Sequence, residues 1–396
     1  MAPLPGSFQS LRATPGWKVV ERLLKSVYGT ILAAAAWYLC ISTFLISIGF
    51  KTASVDKCVF YLREGKHLAI LVLYSDDCFL GATLVALRLR IRDQLCARFQ
   101  MKLCGPLRHF IGLEFIMGAD FIKVHQQTYL LQLLRDFDPD GTLHTAPTPA
   151  VAGLQLTKAM CPLAGSVEAD FMAFTDYGSL ISRAAWLCKT RPDLCYITSV
   201  LRRHLANPGR PHLKALTQVM RYLKGTPSLG LVYRASGTGT NVVLSGSVDA
   251  SFAEDWKERD TISQTGCIIS LCGAPISFFS RRQKTVPCST TDTELQALSA
   301  GVKEILWLRE MLNELGFPQE AVIVSEDNAA AVCLTSNVAT NNATKHLVIR
   351  HEWLRAQLAA GVFTPVLTPS AEQTSDVMTK ALPRDSFERH RDSTMG

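Results

Sequence analysis

The sequence predicts an α/β protein of more than one domain, with a helical middle part and a mixed five-stranded sheet near its carboxyl end. The chain has 396 residues, which is more than one hydrophobic core usually serves. Hydrophobic residues make up 48% and charged residues 19%, which is typical of a folded globular chain and excludes a largely disordered one. Short apolar runs of strand length alternate with stretches of helical spacing, and this alternation predicts both kinds of element.

Charge and cysteine content restrict the partners and the compartment only loosely. The net charge of +7 permits a polyanionic partner without requiring one. The 12 cysteines lack the spacing of a zinc site, so we expect free thiols in a reducing compartment. Residues 1–20 lack the compact apolar core of a secretory signal, and we therefore expect a cytoplasmic or nuclear protein.

Residues 31–50, ILAAAAWYLCISTFLISIGF, form an uncharged stretch with the length of a membrane span. A buried helix of a water-soluble domain is the alternative. The motifs on both sides of the stretch favour that alternative, so no membrane association is expected.

The first elements surround a pair of acids. Residues 67–79, HLAILVLYSDDCF, predict a hairpin of buried strands with Ser75, Asp76 and Asp77 at its turn. Residues 84–99 have helical spacing, and CGPLRHFIGLEF at 104–115 predicts a second pair of strands.

The middle of the chain is predicted to be helical. An amphipathic helix is expected over Gln126–Phe137, and the Pro- and Thr-rich HTAPTPAVAG after it predicts a linker with a boundary near Pro149. Two helical stretches follow between Asp170 and Lys224, the second starting at Ser199. Its basic residues form either a solvated helix face or a surface that follows nucleic-acid phosphates. The candidates for phosphate contact are Arg202, Arg203, Lys214, Arg221 and Lys224.

The last part has the most regular order of strands and helices. A long helix over Ser289–Leu315 has Ser and Thr at its start and Gly316 after its end, as helix capping requires. Strands are predicted over Asn241–Asp249, Gln264–Leu271, Pro275–Ser280, Val322–Ser325 and Val362–Leu367. The other helices are predicted over Asn328–Leu334, Lys345–Ala359 and Ala371–Leu382.

Four acids in this last part lie at strand ends or on helices: Asp249, Glu294, Asp327 and Asp376. The ends of the first and fourth strands can lie side by side in a mixed sheet, and the helices can bring the other two acids over them. Converging carboxylates repel one another unless cations neutralise them, and oxygen ligands favour Mg²⁺. A cap or a surface charge is the alternative for each acid taken singly.

Four segments resemble, in order and spacing, the ribonuclease H of copia-type retrotransposons: SVDASFAED, SRRQKTVPCSTTDTELQALS, EDNAAAVCL and EQTSDVMTKAL. Upstream, residues 179–226 resemble the connecting segment of the same Pol polyproteins, including its TRPD and RYLKGT signatures. The resemblance extends from Trp17 onward. It implies three domains: a truncated reverse transcriptase with a partial palm and thumb at 1–149, a helical connection at 150–240, and a ribonuclease H-like domain at 241–396.

The resemblance also implies roles for the acids. Asp249, Glu294, Asp327 and Asp376 each match a metal-binding acid of the family, whose enzymes use two Mg²⁺ ions to cut RNA in RNA·DNA hybrids. The chain departs from the family's KHIDIR motif, where it has KHLVIR with Val348, and it has Glu352 where the family has a histidine. These departures put helix packing or substrate contact nearby in doubt.

The polymerase part resembles the family less completely. LVLYSDDCFLG is similar to the YVDD box, with Ser75 in place of Val and with Asp76 and Asp77 as the metal-binding acids. The box SVYGTILAAAAWY has Leu32, Ala34 and Ala35 where the family has Gln, Pro and Arg, and the strand that supplies a third carboxylate is expected to be missing. We therefore expect an inactive polymerase.

Three hypotheses follow from the sequence. The first is a Mg²⁺-dependent ribonuclease H that acts on RNA·DNA hybrid and contacts template-primer nucleic acid, with polyprotein or particle proteins as further partners. The second is a transposon relic that at most binds nucleic acid. The third is a membrane protein that uses residues 31–50.

Overall fold

The structure is a computed structural model that describes residues 30–235, 242–252, 263–287, 289–336 and 348–395. The expectations about residues 1–20, about a strand starting at Asn241 and about the side chain of Val348 lie outside this part of the chain. The chain divides into two compact units, residues 1–94 and residues 95–396.

The first unit contains a helix and an antiparallel sheet. The helix α1, Ile31–Ser47, begins at Thr30, whose side chain accepts a hydrogen bond from Ala33 N, and it buries Ile41 and Leu45. None of the described helices combines the length and the apolar character that a membrane crossing requires. The strands, in their order across the sheet, are β1 (Lys51–Thr52), β2 (Val59–Glu64), β3 (His67–Tyr74) and β4 (Asp77–Ala82).

The second unit starts within helix α2, Val85–Arg98, and continues into a second antiparallel sheet. Both the helix and the strand pair predicted here are present. The strands are β5 (His109–Phe110), β6 (Leu113–Met117), β7 (Phe121–His125) and β8 (Leu231–Arg234), and helix α3 (Gln127–Phe137) follows β7.

The helical middle part is divided into more helices than the two stretches that the sequence predicts. The single helix expected from Ser199 to Lys224 is two helices, because Pro208 disfavours helical backbone at the residue before it and Gly209 is the N-cap of the next helix. The helices of this part are α4 (Val167–Ala173), α5 (Tyr177–Trp186), α6 (Cys195–Arg202) and α7 (Arg210–Gly225).

The last part forms the predicted mixed five-stranded sheet. Its strands are β9 (Leu244–Ser251), β10 (Gln264–Leu271), β11 (Ala274–Arg282), β12 (Val322–Glu326) and β13 (Phe363–Leu367). They lie in the order β11-β10-β9-β12-β13. The β9–β10 and β10–β11 pairs are antiparallel, whereas the β9–β12 and β12–β13 pairs are parallel. The helices are α8 (Thr290–Glu314), α9 (Ala329–Ser336), α10 (Val348–Ala359) and α11 (Arg384–Met395).

The predicted final helix over Ala371–Leu382 is wrong. Two short 3₁₀ turns, Ser370–Glu372 and Thr374–Met378, stand there, separated by Gln373 with an extended backbone. The fully buried Gln373 side chain donates hydrogen bonds to Val248 O and Ser325 O and thereby fastens the turns to the sheet. A continuous helix would not leave this side chain in that place.

The sheet separates two hydrophobic cores because successive residues of a strand face opposite sides. In β10, Cys267 and Ile269 belong to the core beneath α8, whereas Ile268 belongs to the core shared with α5, α6 and α7. The second core also contains Met378 and Phe387 from the carboxyl-terminal part. Both faces of the sheet are therefore covered. The acids described next lie at the edge where the parallel strands β9 and β12 end.

Candidate metal centre

Two of the predicted acids meet where parallel strands end. The register of β9 and β12 pairs Ser247 with Ser325, and Asp249 and Asp327 each lie two residues further along. Parallel neighbours present their carboxyl ends at the same edge of a sheet, which brings the two acids together. Asp249 is 1% exposed, so its carboxylate has little contact with water.

Helix α8 supplies Glu294. The helix begins after Ser289, whose side chain accepts a hydrogen bond from Asp292 N at 3.1 Å. It approaches the sheet closely at Gly301, where a Cβ atom would lie 2.6 Å from Val248 Cγ1. Glu294 precedes Gly301 by two helical turns and shares its face, so the helix directs this carboxylate at the sheet.

The 3₁₀ turn Thr374–Met378 supplies Asp376. Ser247 Oγ donates a hydrogen bond to Gln373 Oε1 at 2.9 Å, and Ser375 N donates one to Ser247 Oγ at 3.2 Å. These bonds hold the turn against β9, two residues before Asp249. Asp376 is therefore positioned by the sheet and not by a helix, although it reaches the predicted place.

The acids form two groups of possible metal ligands. In one group, Asp249, Asp327 and Asp376 have carboxylate oxygens within 4.8 Å of one another. In the other, Glu294, Glu326 and Asp327 meet the same criterion. All four predicted acids thus reach one cluster, with Asp327 common to both groups.

Glu326 is the member that the sequence analysis missed. It follows Val324 by one strand period and Val322 by two, and all three residues are buried while Ile323 is exposed. Strand alternation would have placed Glu326 on the core-facing side. We predicted the adjacent Asp327 instead, because it belongs to the recognised DN pair.

Burial dominates the electrostatics of the cluster. Loss of water, followed by the charges of Glu326 and Asp249, raises the pKa of Glu294 to about 10. Burial also raises the pKa of Glu326 well above its ordinary value, and it raises the pKa of Asp249 to about 6. Oε2 of Glu294 and Oε2 of Glu326 are buried without a hydrogen-bond partner among the described residues. Clustered carboxylate oxygens with open positions fit a divalent cation that prefers oxygen ligands.

Lys380 supplies positive charge at one side of the cluster. Its Nζ lies 2.9 Å from Asp376 Oδ1 and 3.5 Å from Asp249 Oδ2, and Thr379 Oγ1 donates a hydrogen bond to Asp249. Burial lowers the pKa of Lys380, but Asp249 and Asp376 outweigh this effect and raise the pKa above its ordinary value. Lys380 is therefore a cation that partly balances these two acids.

The other predicted pair of acids lies in the first unit. Asp76 and Asp77 are exposed at the turn of the β3–β4 hairpin, as predicted. Ser75 has a φ of 55°, and its carbonyl accepts a hydrogen bond from Trp37 Nε1 at 2.7 Å. In the described parts of the chain, no group of three possible metal ligands includes either aspartate.

Three of the five predicted phosphate-binding residues donate hydrogen bonds to other residues of the protein. Arg203 donates to Gln264 Oε1 at 2.7 Å, Arg221 to His144 O at 3.0 Å, and Lys224 to Asp138 Oδ2 at 3.0 Å. Arg202 and Lys214 are exposed, on α6 and α7 respectively. The role of these residues in nucleic-acid binding stays a prediction.

Sequence comparisons identify similar proteins. Residues 12–152 match the family model described as reverse transcriptase (RNA-dependent DNA polymerase). The retrovirus-related Pol polyprotein from transposon TNT 1-94 of Nicotiana tabacum is 31% identical over 93% of this chain and 28% of its own length. The Pol polyprotein from transposon RE1 of Arabidopsis thaliana is 29% identical over 93% of this chain and 24% of its own length. The chain thus spans about a quarter of the length of these relatives.

Among solved structures, the N-terminal RNase H domain of a Mycobacterium tuberculosis protein, solved as a fusion with maltose-binding protein, is similar to part of the chain. The match covers 38% of this chain and 98% of that chain, with 14% identity and a TM-score of 0.25. The architecture of the mixed sheet rests on its strand order and register.

Proposed function

We propose that this chain belongs to the copia-type Pol polyproteins of retrotransposons and that it contains a ribonuclease H that cuts the RNA strand of RNA·DNA hybrids with two Mg²⁺ ions. The observation that carries the proposal is that the acids form two groups of possible metal ligands and that Asp327 belongs to both groups. Two groups of acids that share a member could hold two cations side by side.

Each of the two groups of acids would hold one cation. Asp249, Asp376 and Asp327 would hold one cation, and Glu294 with Asp327 would take part in holding the other. When bound, the two cations would supply an activated water and would stabilise the leaving oxygen. The protein's own contribution is to fix the oxygens in place: Gln373 ties the Asp376 turn to the sheet, and α8 holds Glu294 over β9.

The choice of strand must come from contacts outside the acid cluster. Carboxylates that hold cations do not distinguish RNA from DNA, whereas the shape of the minor groove and the 2′-hydroxyl groups do. We expect the hybrid to be cut, and RNA·RNA and DNA·DNA duplexes to stay essentially uncut. Template-primer nucleic acid and other products of the polyprotein are the proposed partners.

A catalytically dead relic is the second candidate. The observation that favours it is the altered polymerase box, with Leu32, Ala34 and Ala35 on α1 at places where the family has polar or cyclic residues. Decay in one part of the chain makes decay in another more plausible. This candidate predicts binding of the hybrid without cleavage.

The test is cleavage of an end-labelled hybrid by the purified chain in Mg²⁺. Asp249→Asn and Asp327→Asn each remove a charge and keep the shape of the side chain. Each should lower the rate of hybrid cleavage by a factor on the order of a thousand or more. Asp385→Asn, which changes an exposed acid on α11, is the matched control and should leave the rate unchanged.

Two results would count against the proposal. Metal-dependent cleavage that persists in Asp249→Asn would overturn the assignment of the site. A folded wild-type protein that binds the hybrid and never cuts it would favour the relic.

A further inference from the structure

Glu326 is a buried acid that the four family-matched ligands do not include. It is the last residue of β12 and is 0% exposed. Val322 and Val324 precede it on the same face of the strand and belong to the core beneath α8. The position is therefore one where strand alternation calls for an apolar side chain, and the chain has a carboxylate there.

One oxygen of Glu326 is satisfied and the other is not. Oε1 accepts a hydrogen bond from Asn328 N at 3.2 Å, whereas Oε2 is buried with no partner among the described residues. Glu294 Oε2 is in the same condition. A buried carboxylate without a partner is strongly unfavourable, so a cation or a proton must neutralise it.

In the described part of the chain, no basic side chain forms an ion pair with Glu294 or Glu326. Lys380 Nζ contacts Asp376 and Asp249, which belong to the other group. The carboxylate oxygens of Glu294, Glu326 and Asp327 nevertheless lie within 4.8 Å of one another, which is close enough to share one ion.

We infer that Glu326 is a fifth metal-binding carboxylate, and that it holds one of the two cations together with Glu294 and Asp327. The inference rests on the proposed function, because it assigns a residue to the same centre. It gives each cation three carboxylate residues, with Asp327 shared. It also explains why an acid is tolerated at a core-facing strand position.

The test counts bound Mn²⁺, a paramagnetic substitute for Mg²⁺, by electron paramagnetic resonance on the full chain. Wild type is expected to bind two ions. Glu326→Gln removes one negative ligand from one group only, so it should weaken one ion by about tenfold or more while the other ion keeps its affinity. Glu320→Gln, an exposed acid before the same strand, is the matched control and should bind as wild type does.

Thermal unfolding in EDTA supplies a second measurement. Without a cation the buried Glu326 must take up a proton on folding or remain a buried charge, and Glu326→Gln removes this cost. The Tm of Glu326→Gln in EDTA should therefore be higher than that of wild type, and the rise in Tm that Mn²⁺ causes should be smaller. A variant that binds both ions with wild-type affinity, or that has a lower Tm in EDTA, would overturn the inference.

The outcomes separate this inference from the proposed function. Wild type that cleaves the hybrid, together with unchanged ion binding in Glu326→Gln, would reject Glu326 alone. Ion binding that weakens in Glu326→Gln, together with no cleavage by wild type, would reject the ribonuclease and keep the metal centre. A wild type that binds no Mn²⁺ would reject both.

Discussion

Glu294 shows how strongly its surroundings change a single side chain. Its carboxyl group is buried beside Glu326 and Asp249, and loss of water together with these charges raises its pKa to about 10. Without a cation, the group stays protonated in the folded protein at neutral pH. In the unfolded chain it has its ordinary pKa and is charged.

This difference predicts how stability in EDTA depends on pH. A raised folded-state pKa means that the folded protein binds the extra proton, so the stabilisation is present below the ordinary pKa and is lost as pH rises toward about 10. Glu294→Gln resembles the protonated form at every pH. It should therefore become more stable than wild type at about pH 9, by on the order of a few kcal/mol, with a smaller difference at about pH 5.

Urea unfolding at the two pH values measures the effect. Glu320→Gln is the control, because that acid is exposed. A difference between Glu294→Gln and wild type that does not change with pH would show that the buried carboxyl group titrates as it does in water.

Individual acids of the candidate site were predictable from the sequence only where they lie in a recognised motif. Asp249, Glu294, Asp327 and Asp376 came from recognised segments, and the structure brings all four together. Glu326 could not be found in that way, because its importance depends on strand phase and on the carboxylate of a helix far away in sequence. A pattern of residues does not report which buried oxygen lacks a partner.

At the scale of elements, the site depends on how closely the 3₁₀ turn Thr374–Met378 packs on β10. A Cβ atom at Gly266 would lie 2.6 Å from Met378 Cβ and 3.0 Å from Ser375 O. Neither atom is the far end of a flexible side chain. The turn that carries Asp376 can approach the sheet only because residue 266 is glycine.

Gly266→Ala should therefore displace this turn and lower both hybrid cleavage and the affinity for Mn²⁺. We expect a loss of at least about tenfold in cleavage, because misplacement by about 1 Å far from the chemistry can cost about a hundredfold. Gly178→Ala is the matched control, since the space around that helical residue is open apart from Leu205 at 3.9 Å. Wild-type cleavage by Gly266→Ala would show that the turn does not fix Asp376.

The signatures TRPD and RYLKGT form a structural connection between elements. Arg191 and Asp193 are fully buried, with Arg191 Nη2 at 2.7 Å from Asp193 Oδ2. Tyr222 on α7 donates to the same carboxylate at 2.6 Å, and Arg191 Nη1 donates to Thr226 O at 3.0 Å. The two motifs therefore bind each other, which residue types alone did not reveal.

Breaking this network should destabilise the second unit. Asp193→Asn leaves the Arg191 charge buried without its partner, and we expect a loss of about 3–5 kcal/mol in the free energy of unfolding. Tyr222→Phe removes the hydroxyl that donates to Asp193, leaves the Arg191–Asp193 ion pair and keeps the ring contact with Phe387, so about 1–2 kcal/mol is expected. Urea unfolding measures both, and an equal loss in the two variants would contradict the assigned role. If Asp193→Asn does not fold, the loss in the free energy of unfolding exceeds the expected value and supports the same role.

Most elements were predictable because their periodicity is local. The five strands of the mixed sheet and the long helix α8 follow from alternation and capping. One of the two errors was local, and the other arose from a tertiary contact. Pro208 and Gly209 interrupt the helix expected from Ser199, and the buried Gln373 replaces a predicted helix with two turns.

At the scale of the whole molecule, the second unit joins the helical connection to the last sheet. One hydrophobic core contains Leu216 and Leu223 of α7 together with Ile268, Met378 and Phe387. These residues come from both sides of the predicted boundary at 240–241. The domain limits remain predictions, but the residues around Asp376 share their packing with the connection.

The part that matches the reverse transcriptase family model differs from the last sheet, because among the described residues its paired aspartates are not gathered into a comparable site. Asp76 and Asp77 lie exposed at a hairpin turn, and in the described parts of the chain they share no metal-ligand group with a third acid. Polymerisation needs cations held by several carboxylates. We therefore expect that the chain does not extend a primer on an RNA template in Mg²⁺.

Extension of a labelled primer, resolved on a denaturing gel, tests this prediction, and cleavage of a hybrid by the same preparation controls for a folded protein. Mg²⁺-dependent incorporation that disappears in Asp76→Asn would contradict it. Incorporation that persists in Asp76→Asn would instead identify a contaminating polymerase. The expected pair of results, cleavage without extension, follows from one physical difference: the acids of the last sheet converge in a buried cluster, whereas the aspartates of the hairpin stand in solvent.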